Sequence, residues 1–361
     1  MSIIIRFGLK YAAIFRRCLT ARLQKSGPAE RGGGTVSSGF GLELIDAERR
    51  REAQTERQRS GKKRSALIKK HWQYYLLFLL PLAYIIIFHY VPMAGLMLAF
   101  KKLNIRLGIL RSPWAGLRYF RQFFSSPRFW ELLRNTLGIS VYSLIAGFPL
   151  PIVFALALNE STRPGFKKTV QMVTYAPYFI STVVMVGMVL QFLDPRIGIV
   201  NTIITRFGGR AMNFMGRAHL FKSIYVWSGV WQYTGYAAII YIAALSGIDP
   251  NLYEAAYIDG ASRFQRMTHV DLPGILPTIV ILLILNVGQL MNVGFEKIFL
   301  LQNPLNISSS EVFSTYVYKV GLLGAQFSFG TAVGMFNSVV NLILIISVNQ
   351  LARRVGAASL W

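Results

Sequence analysis

The sequence predicts an all-α membrane protein with six transmembrane helices. Two observations carry that reading. Of 361 residues, 53% are hydrophobic and only 15% are charged, where a soluble domain carries about 25%. The apolar excess is also clustered, in runs of roughly 20 residues, enough to cross a hydrocarbon core of about 30 Å. An open strand edge has no hydrogen-bond partner in lipid, so each such run is expected as a helix.

The spans fall near 74–96, 136–158, 170–192, 223–246, 275–298 and 329–350. Pro81, Pro151 and Pro177 lie in or beside them, which membrane helices tolerate when neighbours satisfy the freed carbonyls. Before the first span the composition changes. Residues 1–65 form a basic tail that mixes Gly, Ser, Glu and Arg ("RGGGTVSSG", "AERRREAQTERQRSGKKR") and lacks the apolar content for a core. Residues 1–24 read either as a short basic amphipathic helix at a membrane surface or as a dispensable tail. Arg6 and Lys10 interrupt their apolar stretch, so they do not read as a signal peptide. Residues 66–361 form the membrane domain.

Net charge is +24, from 39 Lys+Arg against 15 Asp+Glu. In a soluble chain this would point to nucleic acid, but no nucleic-acid fold fits around the spans. Basic residues flanking spans meet anionic lipid headgroups instead. Six spans put both termini on one face. That face carries 24 basic residues against 14 on the other, and "GKKRSALIKKHW" sits just before the first span. Both termini are therefore expected in the cytoplasm. The eight basic residues of 101–135 pull the other way. That loop is also aromatic (Trp114, Tyr119, Phe120, Phe123, Phe124, Trp130) and reads as an amphipathic helix on the outer face, touching headgroups, a docked protein or an anionic sugar. The single cysteine, Cys18, allows neither an internal disulfide nor a cysteine metal site, and His71, His89, His219 and His269 form no paired motif. No cofactor or metal is expected.

The segment between the fourth and fifth spans, "YEAAYIDGASRFQRMTHVDLPGILPTI", carries helix punctuation. Asp249 before Pro250 is an N-cap followed by the residue favoured at the first helical position. Tyr253, Ala256, Tyr257 and Gly260 recur at helical spacing, and Gly260 suits a left-handed C-terminal cap. Ser262 and Gln265 form a capping-box pattern that opens a second helix reaching about His269, and Leu272-Pro273 breaks the chain before the fifth span. Ala255 and Ala256 keep one face low, while Tyr253, Tyr257 and Phe264 offer apolar surface. Such a knob fits a groove on a partner protein, or else lies on the bilayer.

The same segment resembles the EAA loop of permease subunits of binding-protein-dependent ABC importers. The pattern is met by Glu254-Ala255-Ala256, Gly260 and Val270-Asp271-Leu272-Pro273, with Val in place of the commoner Ile. From about residue 70 onward, "SPWAGLRYFRQFF", "NTLGIS" and "NVGFEKIFLL" are similar to the carbohydrate branch, including permeases for uronic-acid-containing oligosaccharides. The resemblance implies a multi-pass subunit of a bacterial cytoplasmic membrane. It implies a cytoplasmic ABC ATPase dimer, a second homologous permease and an extracytoplasmic solute-binding protein as partners. Glu254, Ala255, Ala256, Asp259, Gly260, Leu272 and Pro273 would then couple this chain to the ATPase.

The chain has no G-x-x-x-x-G-K-[ST] phosphate loop, so ATP hydrolysis is expected on a separate chain. For a solute path, Asn286, Gln289 and Glu296 share one arc of the fifth span, with Asn292 beside it. Amides both donate and accept, as sugar hydroxyls require. Trp231, Gln232 and Tyr233 on the fourth span add stacking and polar surface. Polar residues also join membrane helices, a reading that applies equally to Asn337 and Asn341 on the sixth span. Glu296-Lys297 reads as an interfacial pair. The expected cargo is an oligosaccharide; a peptide or polyamine importer is the alternative. A membrane transferase would need an interfacial carboxylate or metal cluster beyond the loop acids, and an ion-coupled transporter would need intramembrane acids, which are nearly absent.

Overall fold

The computed structural model describes residues 70–354; the 1–65 tail lies outside the described residues. The chain divides at Gly95/Leu96 into two compact units. Among the described residues there is no strand, only an isolated antiparallel bridge between Lys101 and Trp114.

Among the described residues four helical stretches are long and apolar enough to cross a membrane: Trp72–Phe100, Arg128–Asn159, Arg263–Val287 and Phe327–Arg354. The first opens with α1 (Trp72–Ile85) and none of α1 is buried. After α2 (Arg118–Phe124), the second stretch comprises α3 (Arg128–Gly147) and α4 (Pro149–Asn159), joined through Phe148. The third predicted span bends. α5 (Pro164–Tyr175), extended by a 3₁₀ turn over Ala176–Phe179, meets α6 (Thr182–Phe192) at 100°. Ile180 and Ser181 are extended there, and Ser181 caps α6 by accepting from the Val184 N–H at 3.4 Å. Gln232 donates to the freed Ile180 carbonyl at 3.0 Å. The fourth predicted span is one 28-residue helix, α7 (Ala218–Leu245), whose Trp, Tyr, Gln and Ser residues dilute its apolar content.

The fifth predicted span is not one helix. α8 (Pro250–Ile258) and α9 (Arg263–Arg266) precede it, and a π turn over Met267–Asp271 carries the chain without interruption into α10 (Leu272–Val287). Leu272-Pro273 therefore does not break the chain: Pro273 is the second residue of α10, directly after the π turn. The helix stops instead at Val287, and α11 (Phe295–Leu301) starts after an unwound stretch over 288–294. α12 (Phe327–Arg354) is the last helix among the described residues.

α7 is the central strut of the larger unit. Its Ala238, Tyr241 and Leu245 pack with Ala155 and Leu156 of α4 and Ile275 of α10. A second cluster joins Ile139, Val186, Phe221, Val293, Ile298 and Leu301. A third buries one face of the aromatic 101–135 loop. Phe123 and Phe129 are buried with Phe313 and Phe329, and Phe123 meets Phe129 edge-on at 5.1 Å. Aromatic burial wins there because α12 and the segment after Glu311 cover that face; Trp114 and Trp130 stay exposed. Beside this cluster the buried Glu311 carboxylate accepts from Arg128 at 2.6 Å and Lys319 at 3.1 Å.

Candidate functional site: a surface helix and a polar cavity

The α8 helix is built by its caps. The Asp249 carboxylate accepts the Asn251 N–H at 3.0 Å, and Pro250 fills the first helical position. At the other end the Gly260 N–H donates to the Tyr257 carbonyl at 3.1 Å and the Ala261 N–H to the Ala256 carbonyl at 2.9 Å. These two bonds are a Schellman cap, which needs a left-handed residue between them. Gly260 supplies it with φ +71°. Nothing lies within 4 Å of where its Cβ would sit, so backbone conformation alone selects glycine there. The Ser262–Gln265 capping box forms with both bonds, 2.8 and 3.3 Å.

The outward face of this helix pair is apolar. Tyr257, Ile258 and Phe264 are 76%, 84% and 68% exposed, and Glu254, Ala255, Asp259 and Gly260 are exposed beside them. Ala256 is half-buried, and Leu272 and Pro273 are exposed at the start of α10. Tyr253 turns inward instead of joining that face. Its hydroxyl donates to Asp271 Oδ1, which also accepts from Asn159 Nδ2 at 3.4 Å. Asp271 is fully buried and its Oδ2 has no hydrogen-bond partner. Burial first, and then the bonded Asp271 carboxylate, push the Tyr253 hydroxyl up to about 12, so it is protonated at neutral pH and free to donate. Arg266 pairs with Glu160 at 3.4 Å. Tyr253, Asp271, Asn159, Arg266 and Glu160 together tie the surface helices to the ends of α4 and α10.

The unwound 288–294 stretch borders a cavity of about 710 Å³. Asn286, Gln289, Asn292 and Tyr233 line it, together with Ser140, Ser143, Thr182 and Thr234. The amides are organised by α12: Asn341 accepts the Met291 N–H at 3.0 Å, and Asn337 and Asn341 donate to Asn292 Oδ1 at 3.2 and 3.1 Å. Asn292 in turn donates to Gln289 Oε1 at 3.4 Å. Trp231 and Gln232 lie outside the lining. Trp231 is half-exposed, and Gln232 is buried holding the Ile180 bend.

Lys297 departs most from its sequence reading. It is only 7% exposed and lines the cavity, without an ion pair to Glu296. Its Nζ donates to the Tyr225 carbonyl at 3.0 Å and stands 4.9 Å over the Tyr225 ring. Among the described residues no cluster of His, Cys, Asp and Glu is arranged to hold a metal ion.

Residues 147–357 match the family model of the binding-protein-dependent transport system inner membrane component, a region that contains the surface helices and most of the cavity lining. The chain belongs to this family. It is thus a multi-pass inner membrane component of an ABC importer, a transport subunit and not a catalytic one. This family member is 43% identical over 302 residues to the polygalacturonan/rhamnogalacturonan transport system permease protein YteP of Bacillus subtilis (strain 168), covering 83% of this chain and 94% of that one. It is also similar to a chain in the crystal structure of a bacterial ABC transporter involved in the import of the acidic polysaccharide alginate. There the TM-score is 0.75 at 40% identity, over 80% of this chain and 97% of that one. A structure of the bacterial alginate ABC transporter in complex with an alginate pentasaccharide-bound periplasmic protein matches equally, with TM-score 0.75 and 39% identity, over 81% and 98% of the two chains.

Proposed function

We propose that this chain forms half of the membrane path of an ATP-driven importer and passes an acidic oligosaccharide inward. The observation that carries the cargo is the cavity lining. Amides at 286, 289 and 292 and hydroxyls at 140, 143, 182 and 234 offer paired donors and acceptors for sugar hydroxyls, and Tyr233 adds an aromatic face. The cargoes for which these relatives are named, polygalacturonan and alginate, support the same class. The unwound backbone between α10 and α11 fits a path, because irregular backbone at membrane depth is tolerated only inside protein or at a cavity.

In this reading residues 66–361 are the permease domain and cross the membrane six times, with both termini in the cytoplasm. α1, α3–α4, the bent α5–α6 pair, α7, α10–α11 and α12 are the spans. The loop over 249–273 then lies between the fourth and fifth spans on the cytoplasmic side. Its exposed Tyr257, Ile258 and Phe264, rimmed by Glu254, Asp259 and Gly260, dock into a groove of a separate ATPase dimer. Tyr253–Asp271 and Arg266–Glu160 carry that movement to α4 and α10. A second homologous permease completes the path, and an extracytoplasmic binding protein delivers the sugar.

Deletion of the chain in its host tests the cargo. Growth and uptake on oligogalacturonate or oligoalginate are expected to stop, while growth on the corresponding monosaccharide continues. Undiminished oligosaccharide uptake in the deletion strain would overturn the assignment.

A further inference from the structure

We infer that Lys297 is the residue that reads the carboxylate of the sugar in the path. This rests on the sugar-path reading above and names the group that makes the path selective for acidic cargo. Of the residues lining the cavity, only Glu296 and Lys297 carry a charge. A buried ammonium without a counter-charge is costly, and such residues inside membrane proteins mark binding sites. Among the described residues the ion pairs are Arg128–Glu311, Arg266–Glu160 and Lys319–Glu311, and none involves Lys297.

What Lys297 has is partial satisfaction. An ammonium has three N–H donors. One goes to the Tyr225 carbonyl at 3.0 Å, and the Tyr225 ring, at 4.9 Å, shields the charge. Among the described residues no other acceptor is bonded to Nζ. Gly229, another lining residue, lies beside it: a Cβ there would stand 3.3 Å from Nζ. Glycine leaves that notch open. A carboxylate is the partner that fits: it neutralises the charge, accepts the remaining donors and forms charge-assisted hydrogen bonds. Gln289 and Asn292 in the same lining then take the hydroxyls of the same sugar unit. One cation among amides and hydroxyls, with the Glu296 carboxylate in the same lining, suits a single uronate unit better than a polyanion.

The experiment uses the complete transporter, with its ATPase, second permease and binding protein, in proteoliposomes. The probes are trimeric galacturonate and trimeric alginate, each beside its carboxyl-reduced neutral counterpart. The variants are Lys297→Met, Lys297→Gln and Lys297→Arg. The binding protein is the same throughout, so its own preference cancels between wild type and variant. Equilibrium dialysis of the purified complex without binding protein gives the same ratio where neutral transport is too slow to read. For Met and Gln, the uronate-to-neutral ratio is expected to fall at least about tenfold, the size of one charged hydrogen bond. Arg is expected to restore most of it. An unchanged ratio overturns the inference while sugar transport stands. Equal loss of both sugars, or failure of both neutral variants to assemble, makes Lys297 a structural residue and overturns it too. A wild-type transporter that carries only the neutral sugars overturns the inference alone; one that carries none of the four overturns the sugar path with it.

Discussion

Tyr253→Phe removes one hydroxyl and keeps the ring, so its effect isolates a single hydrogen bond. That bond goes to Asp271, which is fully buried. Without it the carboxylate retains only Asn159 at 3.4 Å, since Oδ2 has no partner. A hydrogen bond to a charged group contributes about 1.5–3 kcal/mol. The second tie, Arg266–Glu160, is long at 3.4 Å and partly exposed on both sides, and adds about 0–1 kcal/mol. Most of the attachment of α8 therefore resides in Tyr253–Asp271. Losing about 2 kcal/mol raises local opening about thirtyfold. Hydrogen exchange of the complete transporter in nanodiscs is the assay. Amides over 251–258 are expected to exchange about thirtyfold faster in Tyr253→Phe, with those of α7 unchanged. Coupled uptake per ATP should fall with it. Unaltered exchange over 251–258 would refute the claim that this bond holds the surface helix. Asp271→Asn keeps an Oδ1 that can still accept from the Tyr253 hydroxyl and is expected to be milder.

Three further outcomes follow from the same geometry. The Tyr253 hydroxyl ionises near 10 in the unfolded chain and at about 12 in the fold. Its contribution is complete below pH 10 and is lost as pH rises through 12, so α8 protection should fall in that window in wild type and not in Tyr253→Phe. At Gly260, φ +71° with open space around it predicts that Asn is tolerated, Ala costs about 1 kcal/mol and Val more, with uptake and complex formation falling in that order. A flat Gly260 series in uptake would show that the left-handed cap does not matter. Glu311→Ala removes the buried acceptor of two charged hydrogen bonds, while Arg128 is left largely exposed and Lys319 keeps Gln302; it is expected to destabilise by about 1.5 kcal/mol in thermal melts of the purified transporter, against no change if the two pairs are idle.

The loop was legible because its signals are local. Asp249-Pro250, Gly260 and Ser262–Gln265 each satisfy their own backbone groups within five residues, and each adopts the predicted cap. The polar cavity was partly legible: Asn286, Gln289 and Asn292 line it, although the continuous helix used to group them is broken at 288–294. That break rests on Asn341, 50 residues away, satisfying the Met291 N–H, which no local pattern signals. The same holds for the 100° bend, where Gln232 holds Ile180 from 52 residues away. Pro177 signalled a kink but not its size. Lys297 was misread because its neighbour in sequence is Glu296, whereas its partner in space is the Tyr225 carbonyl, 72 residues earlier. Tyr253 looked like part of an apolar face because helical spacing ignores the hydroxyl, and only the buried Asp271 shows where it turns.

The central claim is that the 249–273 loop joins this permease to a separate ATPase. Its most direct test is purification of the tagged chain from its own membrane in mild detergent, with mass spectrometry of what accompanies it. The expected result is an ATPase and a second permease with the wild-type chain, and loss of the ATPase alone in a Glu254→Ala/Gly260→Val double variant. A double variant that keeps its ATPase, or a wild-type chain that emerges alone where known importer complexes survive, would contradict it.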